Sequence, residues 1–310
     1  MSDNPRLPEE LLPSERFYRP ERRGGVAPSG KTVALIVCFV VGIFALGLMR
    51  INIPGDAWYI GGAVVIVGVL IQFILRNRRL HTIIQENQDA VALLESSQLD
   101  EGARRLDALC KKSTFPQFHA FLVFNRGVGY LRQGQPDRGL SLFAAVLNSG
   151  WFESRSNSFF TYYPLLLNGI AIAYAIKGDI PSAEHWQGMA HDHITHERLG
   201  TLLPMDTMIG IRNERYEIVV SDAEKNWENA ESNLPAGQMK NLRILCAFAL
   251  SRQNHNNVHD QKMRRYLDGA WPFRTGQFDY IAVKWPELQA FLQYHGFSTP
   301  ASVTTSVLNK

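Results

Sequence analysis

Two uncharged apolar runs, residues 32–49 and 57–75, stand almost back to back near the start of the chain, separated by seven residues. They are 18 and 19 residues long, close to the ~20 that a helix rising ~1.5 Å per residue needs to cross a bilayer core. Gln72 is the one polar side chain in the body of the second run, and neither run holds an ionisable residue. In water such segments would leave far more apolar surface exposed than a soluble domain tolerates. The pattern predicts a two-pass transmembrane hairpin over 31–76, with Pro54-Gly55 making the reversal. Ala34, Cys38 and Gly42 in the first run and Ala57, Gly61 and Gly68 in the second recur at helical spacing, which lets membrane helices approach closely. Without intramembrane charge, the hairpin is read as an anchor and not as a transport path.

Basic residues orient it. Arg16, Arg19, Arg22, Arg23 and Lys31 precede the first run, Arg76, Arg78 and Arg79 follow the second, and the connecting loop carries only Arg50. Basic flanks favour the cytoplasmic side. The expectation is therefore an integral membrane protein, of bacterial inner-membrane type, with both termini cytoplasmic. Trp58 and Tyr59 fall where amphipathic rings settle among headgroups. Residues 1–30, rich in proline and charge, are expected to form a disordered cytoplasmic tail.

Beyond residue 76 the apolar positions recur at three and four residues, and alternating β-branched runs are absent. The predicted fold class is all-α. Leu80, Ile83, Ile84, Val91 and Leu94 continue helical spacing past the second run, so that helix is expected to run on out of the membrane. Further helices are predicted at 206–212 and 216–232, at 239–251 and 259–267 around the polar loop RQNHNN, and at 285–294, where Pro286 suits a first turn. Residues 297–310 are expected to form a flexible tail.

A spacing also repeats within the helical part. Leu93, Ser97, Gly102, Leu106 and Leu109 return as Tyr130, Gly134, Gly139, Phe143 and Val146, and again as Tyr174, Gly178, Ala183, Gln187 and Ala190. Gly127 and Ala171 hold equivalent places three before each tyrosine. This resembles the tetratricopeptide repeat, a helix–turn–helix unit whose small and aromatic positions let paired helices pack closely. The resemblance covers roughly residues 89–190. The copies lie 37 and 44 residues apart, so insertions near 111–115 and 151–160 must be accommodated. Gln187 departs from the expected large apolar residue, with Trp186 beside it to fill the space. The implied architecture is a TPR-like α-solenoid over 77–296, with the last aromatic helix as its cap.

Candidate chemistry is sparse. GVAPSGKT at 25–32 satisfies the phosphate-loop pattern, but no strand precedes it and the helix that follows enters the bilayer. Lys31 is better read as a membrane anchor. His191, Asp192, His193, His196 and Glu197 cluster in sequence; on one helix His193, His196 and Glu197 would share a face, with His191 nearly opposite His193. Three cysteines, Cys38, Cys110 and Cys246, lack metal or redox spacing. The net charge of +3 gives nucleic-acid binding no support. No catalytic, cofactor-binding or metal-binding residue is selected, and an enzyme is not expected.

The resemblance implies a scaffold whose first helices line a concave surface. Transferred to the two best copies, the inward positions are Phe121, Phe124, Val128, Leu131 and Arg132, then Leu165, Asn168 and Ile172. This mostly apolar lining suits an apolar helix or extended segment of a protein partner. Bilayer lipid would be the other contact. The alternative is a helical-domain enzyme or small-ligand receptor, which an enclosed polar pocket would favour over an open groove.

Overall fold

The computed structural model describes residues 55–96, 98–113, 116–153, 158–253 and 259–298. The N-terminal tail, the GVAPSGKT segment, the first apolar run and residues 299–310 lie outside them. Among the described residues there are twelve α-helices and no strand. The first, α1 (Gly55–Glu95), is a single helix of 41 residues that begins just before the second apolar run, contains all of it and continues without a break. Its Val69, Leu70, Ile71, Phe73, Ile74 and Leu75 are all 45–60% exposed, on every side of the helix. Past Leu75 the environment changes: Leu80, Ile83 and Ile84 pack partly buried against the core, and Asn87, Ala90 and Leu94 are buried.

From there the chain folds as successive antiparallel hairpins. The C-terminal part of α1 packs on α2 (Leu99–Lys112), α3 (Pro116–Arg132) on α4 (Pro136–Asn148), and α5 (Tyr163–Lys177) on α6 (Ile180–His193). Next come α7 (Leu203–Arg212) with α8 (Tyr216–Lys225), the short α9 (Trp227–Asn233), and α10 (Ala236–Gln253) with α11 (Asp260–Gly269). Each second helix also packs on the first helix of the following hairpin. The last helix, α12 (Pro286–Tyr294), starts on a proline, as do or nearly do α4, α5, α6 and α7. Proline there loses no helical hydrogen bond and presets φ.

The first four hairpins share one turn. The backbone N–H of Gln98 donates to Leu93 O at 2.9 Å, Gln135 to Tyr130 at 2.9 Å, Asp179 to Tyr174 at 3.0 Å and Arg215 to Gly210 at 2.9 Å. Such a bond closes a helix end when the residue before its donor turns left-handed. Gly134 (φ 70°), Gly178 (φ 84°) and Glu214 (φ 59°) do this in the second to fourth turns. Close approach follows the turn: a Cβ on Gly102 would meet Ala90 O and Leu94 at 2.9 Å, and one on Gly139 would meet Leu131 Cδ2 at 2.8 Å.

Most buried apolar side chains form one core running from Leu109 to Phe297, with Ala90, Leu94 and Leu106 as a separate cluster between α1 and α2. The stretch Phe159–Lys177, which contains α5, is the one helix among the described residues long and apolar enough to cross a membrane. Its 18-residue window has mean hydropathy 1.4 and is 61% buried inside the domain. Packed against α4, α6 and α7, it is the hydrophobic centre of the fold.

Several expectations shift. The helix expected at 216–232 is interrupted at Asn226, whose side chain and backbone N–H both donate to Asp222 O, at 2.9 and 3.1 Å. The packed chain also extends past residue 296. Phe297 is 2% exposed, its ring 4.3 Å from Phe273 and 5.6 Å from Phe278.

Candidate functional site

The first helices of the hairpins turn one side toward a common cavity of about 310 Å³. Val91 and Leu94 of α1, Phe124 and Val128 of α3, Leu165 and Ile172 of α5, Met208 of α7 and Leu245 of α10 supply its apolar wall. Residues 279–282 form a 3-10 turn that packs against α3 and α5, and its Tyr280 and Ile281 close part of the wall. Further closure comes from Asn233, Leu234 and Pro235 between α9 and α10.

Seven of the eight positions expected to face inward line this cavity: Phe124, Val128, Leu131, Arg132, Leu165, Asn168 and Ile172. Phe121 does not. Its ring lies 4.7 Å from Tyr162 and 6.0 Å from Phe159, in an aromatic cluster contributed largely by the insertion after α4. The insertion therefore takes up the turn of α3 that an uninterrupted repeat would leave open.

Polar side chains interrupt the apolar wall, and several are matched within the protein. Asn125 Nδ2 donates to Asn87 Oδ1 at 3.0 Å, joining α3 to α1. Asn241 Nδ2 donates to the Tyr280 hydroxyl at 2.5 Å, joining α10 to the 279–282 turn. Arg132 Nη1 donates to Leu94 O at 3.4 Å and Arg198 Nη1 to Thr161 O at 3.0 Å. Asn168 is buried and its Oδ1 has no hydrogen-bond partner.

Sequence reasoning missed Tyr280 and Ile281. They sit in a stretch without helical periodicity, and only the apolar run FDYIAV in a polar neighbourhood signals burial. The C-terminal segment is held by α7 as well. The Arg212 guanidinium stacks 4.0 Å from the centre of the Trp285 ring, and its Nη1 donates to Lys284 O at 3.1 Å. Burial lowers the Arg212 pKa to about 10, so it stays charged at neutral pH.

The histidine-rich segment does not form one helical face. α6 ends at His193, Ile194 is extended, and His196 opens a separate 3-10 turn. His191 instead joins α6 to α7: its Nε2 lies 2.9 Å from Asp206 Oδ1, which also accepts from Gln187 Nε2 at 2.6 Å. The hydrogen bond to Asp206 raises the His191 pKa. Gln187, the departure from the repeat pattern, thus has a polar partner, while Trp186 is 4% exposed and fills the core. Among the described residues no three His, Cys, Asp or Glu side chains converge on a metal-sized site. Cys110 and Cys246 are buried and burial pushes both thiols up to about 12, which leaves them unreactive at neutral pH.

Comparison with known proteins finds no matching family model, no matching curated protein and no matching solved structure.

Proposed function

We propose that this chain is a membrane-anchored, TPR-like scaffold that holds a protein partner at the cytoplasmic membrane face, gripping an apolar helix or extended segment. One observation carries the reading. The first helices of five successive hairpins contribute to one mostly apolar wall, the side that tetratricopeptide-like units use for binding. The shared turn of the first four hairpins supports the repeat resemblance independently. The all-round exposure of Val69–Leu75 in α1 supports a second membrane pass, because a helix apolar on every side has no polar face to turn to water. With residues 32–49 as the first pass, the basic flanks set both termini inside. Because α1 is unbroken, Val91 would stand about 24 Å along its axis from Leu75. The groove is then held near the membrane by a rigid helix and not by a flexible linker.

The test is site-specific photocrosslinking in native membranes. Probes replacing Val128 or Ile172 are expected to give discrete protein adducts, whereas a probe at Glu184, exposed on the second helix of its hairpin, gives none. Arg132→Ala is expected to weaken the adducts while leaving the melting temperature unchanged. Equal adducts at all three positions, or no protein adduct at any, would sink the reading.

One observation favours the small-ligand reading. Tyr280 and Ile281 convert part of an open groove into an enclosed space, and enclosed sites of ~300–1,000 Å³ are typical for small molecules. Adducts carrying a small molecule in place of a protein would support it.

A further inference from the structure

The cavity has a chemistry as well as a shape. Its ~310 Å³ is about twice the ~150 Å³ void that accommodates benzene in an engineered protein interior. The space therefore matches two fused rings better than one. Four asparagines line it, and three have partners within the protein: Asn125 with Asn87, Asn233 with Glu197 and Asn229, and Asn241 with Tyr280. Asn168, 9% exposed, is the fourth, and its Oδ1 accepts from nothing. Leaving a buried acceptor unmatched costs about 1–3 kcal/mol. One water would satisfy the oxygen, but a water's share of volume is only ~30 Å³, a small part of the room available.

We propose that this cavity binds a flat, neutral, apolar two-ring group with one N–H or O–H donor. Indole is the simplest example, with its donor directed to the Asn168 amide and its rings among Phe124, Val128, Ile172 and Met208. A tryptophan side chain on a partner segment and a free small aromatic molecule present the same chemistry. In the first form the proposal rests on the scaffold reading above; in the second it stands without it.

The experiment uses the full chain in lipid nanodiscs, with empty nanodiscs as the partition control. Indole is titrated against benzofuran, which has nearly the same shape and no donor. Saturable indole binding is expected, with benzofuran about tenfold weaker, the worth of one hydrogen bond. Asn168→Leu will erase the preference for indole. Ile172→Trp, which fills the cavity with a side chain of its own, will abolish binding of both while the helical circular dichroism persists. Absence of saturable binding, or equal affinities indifferent to Asn168→Leu, overturns the proposal. The source is read separately. A ring-bearing compound that co-purifies with the parent and not with Ile172→Trp identifies a free ligand. A photoprobe at Asn168 that captures a tryptophan-containing peptide identifies a side chain. Protein adducts without indole binding would leave the scaffold standing and remove this site. Indole binding without protein adducts would do the reverse.

Discussion

The second and third hairpins and the fourth solve one packing problem with opposite residues. Four before the left-handed turn residue and five after it, the second hairpin has Tyr130 and Gly139, and the third Tyr174 and Ala183. Bulk sits on the first helix and a small residue on the second. In the fourth hairpin the same places hold Gly210 and Val219, so the bulk has crossed over. A Cβ on Gly210 would lie 2.3 Å from Val219 Cγ2. In each of these hairpins one of the two positions is small. The local rule concerns volume at an interface, not the identity of either residue, and a search for aromatic-then-small necessarily passes over the fourth copy.

The sharpest way to break this comparison is to enlarge each small position and then trim what it meets. Gly210→Ala removes a glycine from a helix interior, a change that by itself favours folding by about 0.5–1 kcal/mol. Here it is expected to destabilise by about 1–3 kcal/mol, since Val219 is stiff and has no room to yield. In a Val219→Ala background the clashing methyl is gone, and Gly210→Ala is expected to become stabilising. Gly139 gives the contrast, because an added Cβ would meet the backbone oxygen of Gly127 at 3.2 Å as well as Leu131. Leu131→Ala will therefore not reverse the sign of Gly139→Ala. Thermal unfolding of the solubilised chain, arranged as two double-mutant cycles, measures both couplings. If Gly210→Ala destabilises equally with and without Val219→Ala, the volume exchange is not what holds these helices together.

The turn residues sharpen the comparison at a smaller scale. Gly178 adopts φ 84° with Arg212 Nη1, at 3.9 Å, the nearest atom a Cβ would meet. Gly178→Ala thus isolates the backbone penalty, and about 1 kcal/mol of destabilisation is expected. Glu214 already bears that penalty at φ 59°. Glu214→Gly relieves it, offset by the greater freedom glycine gives the unfolded chain, so a net gain of about 0.5 kcal/mol is expected. Melting temperatures should move in opposite directions. A shift of the same sign for both would mean that side-chain contacts of Glu214 dominate its turn.

These cases mark what could be read in the chain. The continuation of the second apolar run into α1, the close approaches at Gly102 and Gly139 and the α10–α11 pair follow from helical period and from glycine at fixed spacing. Seven cavity-lining positions follow from the resemblance to the repeat instead. Phe121 lies outside the cavity, beside Phe159 and Tyr162, because the pattern of α3 says nothing of an insertion that folds back over it. The end of α6 at His193 and the interruption at Asn226 are local turns of the backbone, extended at Ile194 and non-helical at Asn226, which periodicity does not register. Tyr280 and Ile281 were illegible for another reason: their segment has no repeating pattern, and its place is set by distant partners such as Asn241 and the α3 and α5 helices.

The smallest predicted effect concerns two histidines whose electrostatic settings oppose each other. His119 on α3 is buried. Burial lowers its pKa, only partly offset by the Cys110 backbone. The unfolded chain then takes up a proton near pH ~6.5 that the folded chain refuses. Stability from this group is full above that pH and falls as acid is added toward the lowered folded pKa. His191 runs the other way. Its pKa is raised by Asp206, so its contribution is full below pH ~6.5 and is lost as pH rises through the raised folded value. Because the His191 side chain is 39% exposed, solvent screening limits that contribution to a few tenths of a kcal/mol. Melting curves at about pH 5.5, 6.5 and 8, taken as differences between parent and variant, cancel the background of other carboxylates. Asp206→Asn is expected to flatten the alkaline arm and leave the acid arm unchanged. His119→Gln, whatever its uniform cost, is expected to reduce the acid arm alone. A change in the opposite arm for either variant would show that the α6–α7 contact and the buried α3 histidine are not the independent groups their separate surroundings make them.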